Sequence, residues 1–329
     1  MQRRHALHHI GLALSALGLA TSTHAQTAAA FPSGPLRIFN PFPAGSGPDV
    51  VSRLVGERLG KAWSQPVVVD NRPGASGFIA LQAAKAGAST GHDLVVAAAD
   101  HMAINPALFK KLPYNVARDF VPVSGLYRVS FFVLVGEKSP INSITQLVAA
   151  ARAKPGAVSY GSNAVGSPLH LGGAQLETAT GTTMQHVPFK ETVQLYQAVA
   201  NGEVSWALGS IGSAGPLIAA NKLRVLAVAD VQRSPAMPQV PTLAEAGGPA
   251  DVVVTSWVAL FAPAAAPAAA LASIDAGVQA ALNLPELRSK FSALGFAPAP
   301  ASGADVARWI ATDTPRYADL VKRTGASVD

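Results

Sequence analysis

Residues 36–59 read LRIFNPFPAGSGPDVVSRLVGERL, and this stretch decides the fold. The short apolar run Leu36 to Phe39 has strand character and leads into a Pro/Gly loop. At Gly47, Pro48 and Asp49 the loop gives way to apolar residues at helical spacing: Val50, Leu54, Val55 and Leu59. Proline suits the first turn of a helix because its missing N–H would be unpaired there anyway. The chain therefore enters a helix N-terminus directly from a glycine-bearing loop, where free N–H groups and the helix dipole favour an anion. A strand, loop and helix start of this kind form an element that grasps a ligand.

Two ligands compete for it. Gly45-Ser46-Gly47-Pro48-Asp49-Val50 approaches the dinucleotide fingerprint G-x-G-x-x-G, and Asp70 ends the next apolar run about 20 residues on, where a ribose-binding acid would stand. Against this, Val50 occupies the third glycine position, and Pro41-Phe42-Pro43-Ala44 lengthens a turn that such folds keep tight. The other ligand is a carboxylate or similar anion held by an exported binding protein. An exported α/β enzyme, or a nucleotide-binding oxidoreductase using Gly45 to Asp49, is the rival class.

The N-terminus favours export. Arg3 and Arg4 make a basic start, Ile10 to Ala20 is uncharged and apolar, and Thr23-His24-Ala25 resembles a small-x-Ala cleavage site. The apolar run is too short to cross a bilayer as a mature helix. Residues 1–25 are therefore expected to be a signal peptide cleaved after Ala25, which places the mature protein in the periplasm.

Composition narrows the classes further. The 329 residues are 49% hydrophobic and only 13% charged, enough chain for two sizeable cores. With no cysteine there is neither a disulfide framework, nor thiol catalysis, nor a zinc–thiolate site. Losing Arg3 and Arg4 would lower the formal charge from +6 to +4, and the remaining bases are scattered, so no nucleic-acid partner is expected. Four of the eight histidines lie in the leader, and His92, His101, His170 and His186 lack ligand spacing. No metal and no cofactor are expected. Neither G-x-S-x-G nor a P-loop occurs.

Along the rest of the chain, strand-like and helix-like stretches alternate, which predicts parallel α/β sheets covered by helices. Strands are expected at 36–40, 67–70, 94–98, 121–123, 131–135, 158–160, 186–187, 204–208, 225–229 and 258–261. Helices are expected at 49–59, 79–85, 144–153, 169–179, 193–200, 216–221, 268–282, 285–294 and 304–322. The strand-rich segments Val121–Val135 and Val252–Phe261 bracket an α/β block. The chain thus leaves one lobe, builds a second and returns: residues 26–126 with 254–329, and residues 127–253.

In these features the chain resembles the Bug-type periplasmic solute-binding proteins, the extracytoplasmic receptors of tripartite tricarboxylate transporters. The resemblance covers nearly the whole mature chain. It rests on Pro41-Phe42-Pro43-Ala44-Gly45 with Asp49, Asn71-Arg72-Pro73-Gly74-Ala75, Ala103-Ile104-Asn105-Pro106, and Tyr160-Gly161-Ser162 followed by Gly166-Ser167 and His170. His186-Val187-Pro188-Phe189-Lys190, Arg233-Ser234-Pro235, Val240-Pro241-Thr242 with Glu245-Ala246-Gly247, and Ser256-Trp257 continue it. The resemblance implies a type II periplasmic-binding-protein fold, two α/β lobes around a ligand cleft with crossover hinge strands.

The resemblance also implies a monomeric receptor that delivers a small organic acid, amide or amino acid to the membrane components of a transporter. The site it implies comprises Phe42, Pro43, Ala44, Gly45, Ser46, Gly47 and Asp49 with Ala99, Asp100 and His101 on one lobe. From the other lobe come Gly161, Ser162, Gly166, Ser167, His170 and Lys190. Recognition would run through backbone N–H groups and hydroxyls, since none of these loops contains arginine. Several residues also have a purely structural reading: Asp49 as a helix cap, His170 as packing, Asn71 to Gly74 as a turn, His186 as a buried hydrogen-bonded ring, and Trp206 and Trp257 as core. Asp100 and Glu191 add negative charge near these loops, which would disfavour a tricarboxylate.

Overall fold

The computed structural model describes residues 31–87 and 89–328; the leader expected over residues 1–25 and its cleavage after Ala25 lie outside them. In chain order the strands of the first sheet are β1 (Leu36–Asn40), β2 (Val67–Asn71), β3 (Asp93–Ala98) and β4 (Phe120–Ser130). The second sheet follows as β5 (Phe132–Gly136), β6 (Ser159–Ser162), β7 (Gln185–Pro188), β8 (Trp206–Gly209) and β9 (Leu223–Val228). The chain then returns to the first sheet as β10 (Thr255–Pro263) and β11 (Ala297–Ser302). Around the early strands lie α1 (Gly47–Trp63), α2 (Phe78–Lys85), α3 (Asn105–Leu108) and α4 (Val116–Asp119), with a π-helical turn at Asp100–Ile104. The second sheet is covered by α5 (Ile144–Ala153), α6 (Pro168–Thr180), α7 (Thr192–Asn201) and α8 (Ile211–Ala219). The C-terminal third supplies α9 (Ala268–Leu282), α10 (Pro285–Ala293) and α11 (Gly303–Thr324).

The sheets run β11-β4-β10-β3-β1-β2 and β7-β6-β8-β5-β9. Both are mixed, which corrects the expectation of parallel sheets. β1 lies parallel to β2 and β3, and β6 parallel to β7 and β8, but β10 is antiparallel to β3 and β4, and β5 antiparallel to β8 and β9. The reason is connectivity. A helix between strands carries the chain back to pair in parallel, whereas β4 runs into β5 without a helix, and β10 returns from the other sheet.

At this passage the two crossings are bonded to each other. Phe131 N–H donates to Val254 O at 3.3 Å, Ala229 N–H to Phe131 O at 2.8 Å, and Val254 N–H to Ala229 O at 2.8 Å. Three short backbone segments thus meet where the chain changes sheets. On the sheet faces the buried apolar residues form two clusters, one spanning both sheets and one on the other face of the first sheet. Trp206 and Trp257 are fully buried as core residues, and Leu36 and Ile38 of β1 pack with Val51, Val55 and Leu59 of α1. The opening stretch therefore forms the strand, loop and helix that its periodicity predicts. Because β1 and β3 end side by side, the loops that follow them open at one edge of the first sheet.

Candidate functional site

The loop after β1 is built from the inside outward. Asn40, fully buried at the strand end, accepts the Phe42 N–H on Oδ1 at 3.0 Å and starts the turn. Gly45 then takes φ +78°, a left-handed conformation that favours glycine, and a Cβ there would meet nothing within 4 Å. Ser46 occupies the N-cap position of α1 but does not cap: its Oγ donates to Pro43 O at 2.6 Å. The first-turn N–H groups of Gly47 and Asp49 consequently have neither an intrahelical acceptor nor a side-chain cap at the start of a 17-residue helix.

Asp49 faces inward. It is 2% exposed; its Oδ2 accepts the Gly45 N–H at 2.8 Å and its Oδ1 accepts Asn71 Nδ2 at 2.8 Å. Arg53 pairs with the same carboxylate at 3.0 Å and donates to Asn71 Oδ1 at 2.7 Å, while Asn71 also donates to Phe42 O at 3.1 Å. Burial alone would raise the Asp49 pKa; Arg53, the Gly45 N–H and Asn71 outweigh it and hold the carboxylate below its ordinary range. Asp49 and Asn71, one helical and one at the end of β2, therefore clamp the loop from behind. Asp70 is engaged by Arg72 at 2.9 Å, so it does not stand ready for a ribose.

Next to this loop, the turn after β3 places Ala99, Asp100 and His101. The His101 ring is buried, contacts Phe42 edge-on at 5.3 Å between centroids, and accepts the Ala98 N–H on Nδ1 at 3.1 Å. Burial lowers its pKa, so the ring stays neutral and can act as an acceptor. Asp100 is partly buried, and its carboxylate has no hydrogen-bond or ion-pair partner among the described residues.

In the second sheet, β6 ends at Ser162, whose Oγ donates to Ala164 O at 2.9 Å and pairs with His186 Nε2 at 2.7 Å. Gly166, at φ +77°, gives its N–H to His170 Nδ1 at 2.9 Å. Ser167 caps α6 by accepting the His170 N–H at 3.3 Å. His170 lies flat on His186, with centroids 3.9 Å apart and an 18° interplanar angle, and His186 continues onto Tyr160 at 5.1 Å. Burial and the neighbouring His186 ring push the His170 pKa down to about 4, and burial also lowers that of His186. His186 is thus half-buried and hydrogen-bonded, in line with its structural reading, and its partnership with Ser162 and His170 is what sequence spacing could not reveal. Gly161 is a packing glycine: a Cβ there would lie 2.2 Å from Leu195 Cδ1. Lys190 and Glu191 are exposed on the turn before α7, and neither forms an ion pair among the described residues.

The two sets of loops meet. A Cβ on Gly166 would lie 2.3 Å from Leu108 of α3, and the Phe296 ring lies against both Gly47 and Gly212. Phe296 therefore bridges the start of α1 and the start of α8, a contact that the sequence reading missed because the residue lies in a Phe-Ala-Pro run with no motif of its own.

Comparison with known proteins gives this arrangement a family. Residues 51–326 match the profile described as "Tripartite tricarboxylate transporter family receptor" (TctC). Protein BugT of Bordetella pertussis is 30% identical over 320 residues, covering 97% of each chain. Among solved structures, R. palustris Rpa4515 with adipate is 29% identical with a TM-score of 0.83, covering 91% of this chain and all of that one. MatC from Rhodopseudomonas palustris with bound malate is 28% identical with a TM-score of 0.77, covering 88% and all of the respective chains. Both share the two-lobed α/β architecture. Their family consists of binding receptors, which sets aside the enzyme and dinucleotide readings of the Gly45–Asp49 loop. By the extent of the profile match and the identity to BugT, this chain belongs to the TctC/Bug family of tripartite tricarboxylate transporter receptors.

Proposed function

We propose that this chain captures a small carboxylate between its two lobes and presents it to the membrane components of a tripartite tricarboxylate-type transporter. The observation that carries the reading is the uncapped start of α1, where a clamped, glycine-bearing loop leaves first-turn N–H groups without a side-chain cap. An anion is the natural acceptor for such groups. The acids bound by the two Rhodopseudomonas relatives support the same chemistry. On this reading the contacts come from Phe42 to Gly47 with Ala99 to His101 on one side, and from Ser162, Gly166, Ser167 and His170 on the other. Asp49 acts behind the loop, and Lys190 stands at the rim. On this reading the lobes follow the two sheets: β4 carries residues 127–130 with the first lobe, so the division expected at 126/127 moves to Ser130, and the lobes hinge at the bonded crossings near Phe131 and Val254. The protein works as an exported monomer after removal of residues 1–25.

Asp100 refines the ligand class. An unpartnered carboxylate at the same sheet edge repels a second or third acid group and favours an ammonium or amide N–H. The preferred ligand is therefore a monocarboxylate, an amide or an amino acid rather than a tricarboxylate. Calorimetric titration with malate, succinate, glutamate, nicotinate and citrate tests both levels. Binding of at least one acid with citrate weakest is expected. No heat with any of them would refute the carboxylate reading, and tight citrate binding alone would refute the role given to Asp100.

A further inference from the structure

The lobes touch on both flanks of the cleft, and on one flank the contact is glycine against backbone. The segment joining α10 to β11, Leu294 to Phe296, belongs to the first lobe and lies against the start of α8 in the second. A Cβ on Gly212 would lie 2.5 Å from Leu294 O, 3.2 Å from Phe296 Cζ and 3.3 Å from Phe296 Cε1. Every one of these nearest atoms is in the opposing lobe. The neighbouring Gly295 takes φ +73°, and a Cβ there would lie 2.4 Å from Ile211 Cβ. Phe296 cannot swing aside cheaply, because its ring is stacked on buried Tyr127 at 4.3 Å and 25° and its other side faces Gly47. Leu294 O is backbone at the end of a helix, held by its chain.

We propose that Gly212 sets how far the cleft can shut, because the missing side chain is what lets α8 seat on Leu294 and Phe296. The inference takes from the binding reading only the idea that closure serves capture. It goes further by assigning the closed state to one contact and predicting a protein that folds normally but stays ajar. The three atoms nearest an added methyl at Gly212 all belong to the other lobe, and Gly212 is helical within α8, so alanine suits the second lobe's own backbone. With the lobes together the same methyl overlaps a carbonyl oxygen. A receptor that closes less often binds more weakly in proportion to the fraction still able to close.

Gly215 supplies the control. It lies on the same helix, and a Cβ there would come no nearer than 3.9 Å to Ile211 Cγ2. Gly212→Ala and Gly215→Ala thus gain similar helix propensity, but only the first inserts a shim. Since the chain has no cysteine, Ile79→Cys and Val193→Cys, both exposed and one on each lobe, carry a pair of spin labels without background. Pulsed dipolar spectroscopy, with and without malate, glutamate or nicotinate, reads the distance between them.

The parent and Gly215→Ala should show a short-distance population matching the separation of these two residues in the present structure, and Gly212→Ala should lack it with unchanged circular dichroism. Affinity for whichever of these acids binds the parent should fall about tenfold or more in Gly212→Ala only. A Gly212→Ala protein that keeps the short population, or a parent that never shows it, overturns the proposal. So does a Gly212→Ala protein that fails to fold, because the methyl would then be meeting its own lobe. A parent that shuts but whose shut population no carboxylate enriches leaves this contact standing and refutes the carboxylate reading instead.

Discussion

Replacing Asp49 with alanine removes the clamp behind the recognition loop at one stroke. The carboxylate is 2% exposed and accepts the Gly45 N–H and Asn71 Nδ2, both at 2.8 Å. Hydrogen bonds to a charged group contribute about 1.5–3 kcal/mol each. The Arg53 pair adds little, on the order of 0.5 kcal/mol, because the Arg53 side chain is 51% exposed and screened by solvent. Relief of the carboxylate's own desolvation offsets part of the loss. The net expectation is a destabilisation of about 2–4 kcal/mol, with Asp49→Asn, which keeps one acceptor oxygen, losing roughly half as much. Urea unfolding with an unchanged m-value measures it. Calorimetry on the folded variant should also show weaker ligand binding, because Gly45 and the first-turn N–H groups are no longer pre-positioned. An Asp49→Ala protein within about 0.5 kcal/mol of the parent would mean that the loop holds its shape without the clamp, and the assignment of Asp49 as an organiser would be wrong.

Two further outcomes follow from the second sheet. His170 has its pKa lowered from 6.5 to about 4, and those of His101 and His186 are lowered as well. The unfolded chain therefore takes up protons as pH falls from 6.5 toward 4 while the folded one does not, so stability falls across that window, by up to about 3 kcal/mol from His170 alone. Urea midpoints measured from pH 7 to 4 should decline, and His170→Gln should flatten the decline; a flat parent profile would contradict the neutral stacked pair. Ser162→Ala leaves His186 Nε2 without its 2.7 Å partner and should cost about 1–2 kcal/mol in unfolding free energy; an unchanged midpoint would show that His186 finds water instead.

Legibility in the sequence tracked how local each feature is. α5 and α9 are found at the expected residues, 144–153 and 268–282, since each is bounded by nearby signals: Ser143 caps α5 by accepting the Gln146 N–H, and Pro267 precedes α9. The start of α8 was displaced because Pro216 reads as a first-turn proline. It sits inside a helix begun at Ile211 by the Ser210 cap, and its missing N–H merely leaves the Gly212 carbonyl without its usual donor. β11 went unrecognised because Ala297-Pro298-Ala299-Pro300 reads as loop, yet prolines are tolerated on an edge strand whose outer side needs no N–H. β4 is longer than the expected 121–123. Its Ser124-Gly125 break in apolar pattern is a packing demand: a Cβ at Gly125 would lie 2.8 Å from both Ala299 O and the Trp309 ring.

The site divides along the same line. The loop of Phe42 to Asp49 is contiguous, so its strand, turn and helix start could be read from residue order. The imidazole stack unites His170 of α6 with His186 of β7, and the contact proposed to limit closure unites Gly212 with Leu294 and Phe296. In both cases the chemistry arises only when distant elements are packed, and no spacing along the chain encodes that one ring will shield another or that an absent methyl makes room for a carbonyl. A glycine such as Gly212, unremarkable in a helix and costly to helix propensity, is intelligible only from the surface it faces. On the proposed reading, the contiguous loop sets the kind of ligand grasped, while the dispersed contacts set whether the grasp can close.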